Sequence, residues 1–173
     1  AIVIPCLNES DNLRLLIPQI RAITGDLDIR ADLWVVDGGS QDGTAQIAER
    51  LGAQVIKSRY RGYGGALRAA FECVQSPHII TLDADLSHHP SIVKHLYEVR
   101  HQADIIIASR YIQGGYARTA LSRKILSRLL NLVFRRALAL PIHDLSSGFR
   151  LYHRTVVASL SLSHSTYAVL EEI

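Results

Sequence analysis

Methionine is missing from this chain, and cysteine nearly so: Cys6 and Cys73 are the only two. Two thiols cannot build the disulfide framework of a small secreted domain, so free, buried thiols in a reducing compartment are expected. No stretch approaches the ~20 apolar residues needed to cross a bilayer. No signal peptide opens the chain. Charge of one sign is also lacking. Lys and Arg number 19 against 16 Asp and Glu, a net +3 that is too weak to argue for nucleic acid. With 48% hydrophobic and 20% charged residues, the composition excludes disorder and collagen-like or low-complexity classes. At 173 residues the chain fits one domain with a real core. It opens inside the apolar run Ala1-Ile2-Val3-Ile4 and closes on Glu171-Glu172-Ile173. We therefore expect a single domain cut from a longer protein, with room for a membrane anchor outside these residues.

What is present is an alternation. Ile2–Pro5, Leu33–Asp37, Gln54–Lys57, His78–Asp83 and Asp104–Ser109 read as strands. Most are apolar at consecutive positions, as parallel strands covered on both faces are. Helical patterns fall at Asp11–Ile23, Gly43–Leu51, Gly64–Val74 and Pro90–Gln102. The expected fold is an α/β open sheet, mostly parallel and Rossmann-like, with helices on both faces and right-handed crossovers. Ligands of such sheets bind beyond the carboxyl ends of the strands.

Those ends are rich in chemistry. Asp83 and Asp85 stand two apart after the fourth strand, so in extended backbone both carboxylates point the same way. Either they are turn residues, or they seat a hard cation, Mg²⁺ or Mn²⁺, shared with substrate phosphates. His88-His89 offers a rival transition-metal site, although Pro90 marks His89 as the approach to a helix. Asp37 ends the second strand before Gly38-Gly39, where backbone can approach a ligand closely. Its carboxylate suits base N–H groups or ribose hydroxyls. Asp42 or Ser40 reads as a cap of the next helix. The glycine-rich, basic Arg59–Ala66 leads into a helix and is either a phosphate-binding helix start or a simple loop. It matches neither a Walker A nor a Gly-x-Gly-x-x-Gly pattern. Arg118–Leu140 is the longest periodic stretch, with Arg123, Ser127, Asn131 and Arg135 in an i, i+4 ladder beside a wide apolar face. Such a helix either packs in the core with a solvated basic edge or lies in a membrane interface.

Together these segments resemble the family-2 glycosyltransferases of GT-A fold, above all the dolichyl- and polyprenyl-phosphate mannosyltransferases. The resemblance rests on Ile4–Glu9, Val36–Thr44, Asp83–Pro90, Ser109-Arg110-Tyr111, Arg123–Arg128 and Asp144–Tyr152, in the family's order over nearly the whole chain. Asp83–Pro90 and Asp144–Tyr152 are the specific pieces. The resemblance implies a nucleotide-sugar donor, GDP-mannose before others, and a polyprenyl-phosphate acceptor met at a membrane surface. It implies a cytoplasmic-face location, peripheral or anchored by parts outside these residues. Asp85 would bind the divalent ion, with Asp83 near ribose or metal. Pro5, Leu7, Glu9 and Asp37 would line the nucleotide pocket. Arg110, Arg123 and Ser127 would grip the acceptor phosphate, and the lipid acceptor favours the interfacial reading of the basic helix. Glu172 falls where the family often carries an acid after an aromatic segment. The Asp144–Tyr152 motif is expected to fold back over the site.

Six positions in four places depart from the family pattern. Gly38 stands where a second acid is common, and Ser87 where many relatives have Gln. Leu145-Ser146 and Val169-Leu170 replace more usual pairs. The implied reaction is inverting transfer to a phosphate that is already anionic, so no dedicated general base is required. Arginine forks suit the positioning of two mutually repelling phosphates. The alternatives are another donor such as a UDP-sugar, another acceptor, or a catalytically weakened nucleotide-sugar-binding module.

Overall fold

The structure is a computed structural model describing residues 1–27, 30–109, 144 and 147–173. Six strands form one sheet in the order β3-β2-β1-β4-β6-β5. They are β1 (Ile2–Cys6), β2 (Leu33–Asp37), β3 (Gln54–Lys57), β4 (His78–Thr81), β5 (Ile105–Ile107) and β6 (Arg150–His153). β1 pairs parallel with β2 and β4, and β2 with β3. β6 is antiparallel to both of its neighbours, β4 and β5. The helices are α1 (Ser10–Asp26), α2 (Thr44–Arg50), α3 (Gly62–Cys73), α4 (Ile92–Glu98), α5 (Arg154–Ser159) and α6 (Val169–Glu172).

The consecutive apolar residues of the central strands have a direct use. Successive side chains point to opposite faces, so each strand feeds two cores. Ile2, Ile4 and Cys6 join Leu33, Val35, Ile80 and Leu151 on the face covered by α1, α2 and α4. Val3, Val36, Ile79 and Tyr152 join the other face, under α3 and α5. α1 presents Leu13, Leu16, Ile17 and Ile20 to the first core, the i, i+3, i+4, i+7 stripe of an amphipathic helix. Each such side chain, fully buried, contributes about 1.5–3 kcal/mol.

The expected elements are present with shifted ends. α3 begins at Gly62, two residues early. α4 is shorter than Pro90–Gln102, because both flanks close as single three-residue turns (Val93 N to Pro90 O, Gln102 N to Val99 O). β4 stops at Thr81, where its antiparallel partner begins at Arg150. The larger difference is β6 itself. Of the Asp144–Tyr152 motif, Gly148 lies beside Asp83 and Tyr63 at the rim of the sheet. The motif's end enters the sheet, and Asp144, Ser147 and Arg150 are buried. Among the described residues no helix is long and apolar enough to cross a membrane. The basic stretch Arg118–Leu140 lies outside the described residues.

Candidate functional site

The loops after β1 and β2 are laced together. Asn8 N donates to Ser40 Oγ at 2.8 Å, Glu9 N to Thr44 Oγ1 at 2.9 Å and Ser10 N to Asp42 Oδ2 at 3.0 Å. Gln41 N returns a bond to Asn8 Oδ1 at 2.9 Å. Asp42 also accepts from Thr44 N at 3.0 Å, so one carboxylate serves the starts of α1 and α2. Its bonds from the Thr44 hydroxyl and from Ser10 N lower its pKa to about 2. The cap position of α2 is Gly43, not Asp42 or Ser40 as the sequence suggested, and Asp42 bonds the first helical amide from one residue before it. Ser40 ties down Asn8 instead. The lacing holds the β1 tip, Pro5 to Glu9, at one wall of a cleft.

The opposite wall is the β4 tip. Asp83 and Asp85 flank the buried Ala84. Asp85 Oδ1 accepts from Ser87 N at 2.9 Å, which closes the turn. Leu86 holds φ +58°, a backbone state that costs a non-glycine residue on the order of 1–3 kcal/mol and recurs at functional sites. Beside Asp83 stands Gly148. A Cβ there would sit 2.7 Å from Asp83 Oδ1 and 3.0 Å from Oδ2, against the Tyr63 hydroxyl. Only glycine leaves that carboxylate its space. The histidines that follow are engaged locally. The buried His88 bonds the Ser87 hydroxyl and packs edge-on to Phe149, while His89 Nδ1 pairs with Ser91 Oγ before α4. Among the described residues no three of His, Cys, Asp and Glu group to hold a metal ion.

The cleft between these walls has a volume of about 330 Å³. Pro5, Leu7, Glu9, Asp83 and Asp85, five of the residues singled out above, line it together. Asp37 does not. It is buried at the end of β2 and accepts from Ser40 N at 3.0 Å, within its own turn, while Gly38 beside it lines the cleft. Arg110, Arg123 and Ser127 lie outside the described residues. Burial, with Glu9, Asp37 and Asp42 nearby, pushes the Cys6 thiol up, so it stays neutral at the cleft floor.

Sequence reasoning missed two tyrosines. Tyr63 of α3 and Tyr167 both line the cleft, and their rings stack at 4.1 Å and 15°. Burial and the Asp83 carboxylate push the Tyr63 phenol well above its usual range. Desolvation, then Asp83, Asp85 and Glu9, push Tyr167 up to about 12. The glycine-rich start of α3 is not a bare loop: it opens the helix at Gly62 and is met by another part of the chain. Gly64 N donates to Ser165 O at 2.9 Å, and Cβ atoms at Gly62 and Gly64 would strike the carbonyls of Ser165 and His164. The protein's own chain occupies that helix start. The glycines were a visible signal of close approach, but they do not say what approaches.

With the geometry in place, comparison with known proteins decides the family. Residues 1–160 match the sequence profile of glycosyl transferase family 2. The chain belongs to that family. It is 32% identical over 174 residues to the polyprenol monophosphomannose synthase of Mycolicibacterium smegmatis, an alignment covering 94% of this chain and 64% of that protein. It is 30% identical over 185 residues to the dolichol-phosphate mannosyltransferase of Pyrococcus furiosus, covering all of this chain and 51% of the relative. The chain therefore spans between about half and two thirds of the length of these relatives. Among solved structures, glucosyl-3-phosphoglycerate synthase of Mycobacterium tuberculosis, in complex with Mn²⁺, UDP and glucosyl-3-phosphoglycerate, superposes with TM-score 0.74 at 23% identity, over 98% of this chain and 61% of that one. Mannosyl-3-phosphoglycerate synthase of Rubrobacter xylanophilus gives 0.71 at 22%, over 90% and 53%. At such identities the likeness concerns the fold, which is the α/β GT-A fold of this family 2 domain.

Proposed function

We propose that this domain transfers a sugar, mannose from GDP-mannose, to the phosphate of a polyprenyl or dolichyl lipid, with inversion, at the cytoplasmic face of a membrane. The observation that carries the reading is the meeting of Asp83 and Asp85 with Pro5, Leu7 and Glu9 in one cleft at the carboxyl ends of the strands. The similarity to enzymes named for polyprenol- and dolichol-phosphate mannose supports it.

A divalent ion, Mg²⁺ or Mn²⁺, fits the residues present. Ions of this kind are commonly held by one or two carboxylates together with substrate phosphates. Asp85 is exposed to the cleft, and the bare Cα of Gly148 keeps the Asp83 carboxylate from being overrun. Asp83 and Asp85 would hold the ion, which would supply charge neutralisation for the departing diphosphate. The chain does the rest by position. Pro5, Leu7 and Gly38 frame the nucleoside, and Asp37 steadies that frame through the Ser40 amide. Arg110, Arg123 and Ser127 hold the acceptor phosphate in this reading. A phosphate oxygen attacks the anomeric carbon as the bond to the nucleoside diphosphate breaks. The acceptor is already ionised, so no proton need be removed.

The test is a screen of nucleotide sugars against short polyprenyl phosphates, with the full-length chain, Mg²⁺ or Mn²⁺, and a chelator control. Metal-dependent mannosyl transfer is expected from GDP-mannose, and Asp85→Asn should abolish it while circular dichroism stays unchanged. Undiminished turnover in that variant would overturn metal-assisted transfer at this site. A UDP-sugar donor is the second reading, favoured by the UDP named with the solved neighbour. The same screen separates the two.

A further inference from the structure

The segment after α5 has no part in the sheet, yet it is tied down more firmly than its exposure would suggest. The Glu172 carboxylate collects Ser163 N at 2.9 and 3.1 Å, the Ser163 hydroxyl, His164 N at 3.1 Å and His164 Nδ1 at 3.1 Å. These bonds, the Ser163 hydroxyl first, lower its pKa to about 2, and Glu172 is not among the residues lining the cleft. Just beyond the tie, the carbonyls of His164 and Ser165 rest on Gly64 and Gly62 with no room for a side chain beneath them. Ser165 O takes the Gly64 amide at 2.9 Å. The next aromatic residue is Tyr167. It stacks on Tyr63, lines the cleft, and remains 60% exposed. With one face stacked on Tyr63 and the residue still largely exposed, Tyr167 offers the cleft an aromatic surface on which a planar group can stack. The Tyr63 hydroxyl beneath is buried without a hydrogen-bond partner.

We propose that residues 163–167 form a strap, knotted by Glu172 and seated on Gly62 and Gly64, whose purpose is to hold Tyr167 over the cleft as an aromatic contact for the nucleoside diphosphate. Tyr167 touches the ligand. Glu172 acts through the strap and is a positioning residue, not a base for the reaction. The inference rests on the cleft being the donor site. It adds a wall, contributed from the far end of the chain, that the β1 and β4 tips lack. Stacking on a tyrosine face is tolerant of base identity, so the strap raises affinity for GDP and UDP alike.

The experiment is calorimetric titration of the full-length protein with GDP and with UDP in the presence of Mn²⁺. Wild type should bind. Tyr167→Ala should weaken binding by about tenfold for either nucleotide, in line with the loss of one aromatic stack, while Tyr167→Phe should bind like wild type. Glu172→Gln should raise the donor KM with little change in kcat. The double variant Glu172→Gln/Tyr167→Ala should bind no more weakly than Tyr167→Ala alone, since both changes remove one contact. Gly64→Ala, which unseats the strap without touching Glu172, should copy the Glu172 effect. If wild type binds and Tyr167→Ala binds equally well, the strap proposal is overturned and the donor site stands. If Glu172→Gln lowers kcat at unchanged KM, Glu172 is not a positioning residue. If wild type binds neither nucleotide, the donor-site reading falls, and the strap with it.

Discussion

The two ends of the sheet solve opposite problems. At the carboxyl ends, Glu9, Asp83 and Asp85 gather acids around a cleft. At the amino ends, His78 on β4 meets His153 of β6 and His101 edge-on, with ring centroids at 5.2 and 5.6 Å. Beside them Arg154 donates to the carbonyls of Phe71 and Val74 at 2.9 Å each and so closes the end of α3. The acidic end keeps an open cleft between its charges. The other end has a cavity of about 240 Å³ lined by His78, Arg30 and Asp32, with no comparable pair of acids among the described residues that line it, and Arg154 bonds the end of α3 beside it. Ligand chemistry is therefore expected at one end and stability at the other, and each can be disturbed separately.

Short of removing the Asp85 carboxylate itself, the largest effect is expected from Gly148→Ala. The new Cβ falls on the Asp83 carboxylate and the Tyr63 hydroxyl. Displacement of a reacting geometry by about 1 Å costs roughly a hundredfold in rate, so transfer should drop by about that factor. The overpacking itself should cost about 1–3 kcal/mol of stability. Kinetics beside a urea melt would separate the two, and unimpaired transfer would mean that Asp83 needs no clear space. At the other end, Arg154→Ala leaves two carbonyls without their donor. A loss of about 1–3 kcal/mol in urea unfolding is expected, with kcat per folded molecule unchanged. A fall in kcat would break the division of labour.

Acid should also tell the ends apart. Burial, then the neighbouring His153, His101 and Arg100, hold the His78 pKa below its ordinary 6.5. The unfolded chain thus binds this proton more readily than the folded one. The stability His78 contributes is complete above pH 6.5 and is lost as pH falls through its folded value. The melting temperature should decline on acidification below pH 6.5, and His78→Asn should flatten that decline. An unaltered pH profile in the variant would assign the decline to other groups. The smallest effect belongs to Asp42→Ala, at an exposed loop. A slight drop in melting temperature is expected, with a modest rise in donor KM as the loops after β1 and β2 come unlaced.

The central strands were legible because buried parallel strands advertise themselves as unbroken apolar runs such as Ile2-Val3-Ile4, and β5 through its run Ile105-Ile106-Ile107, although it is half-buried and pairs with the antiparallel β6. β6 was not. Arg150-Leu151-Tyr152-His153 carries one aliphatic residue, and its partners β4 and β5 lie far off in sequence, so no local pattern announces the pairing. In the cleft, Asp83 and Asp85 could be singled out from the rule that ligands sit at strand ends, while Pro5, Leu7 and Glu9 came from the resemblance to the family. Tyr63 and Tyr167 could not, since one sits on a helix and the other on an irregular segment, and only folding stacks them. Asp37 was named for the right loop but faces its own turn.

The antiparallel placement of β6 fixes the ends of an excursion. Ile107 is paired with Arg150, and Ala108 N still reaches Phe149 O at 2.9 Å. The chain therefore departs from β5 and returns to β6 at the same rim of the sheet, one strand away from Asp83. Because Phe149 and Arg150 are pinned in this ladder and Arg150 also pairs with Thr81 of β4, the residue just before them, Gly148, is presented beside Asp83 at a fixed height above the sheet.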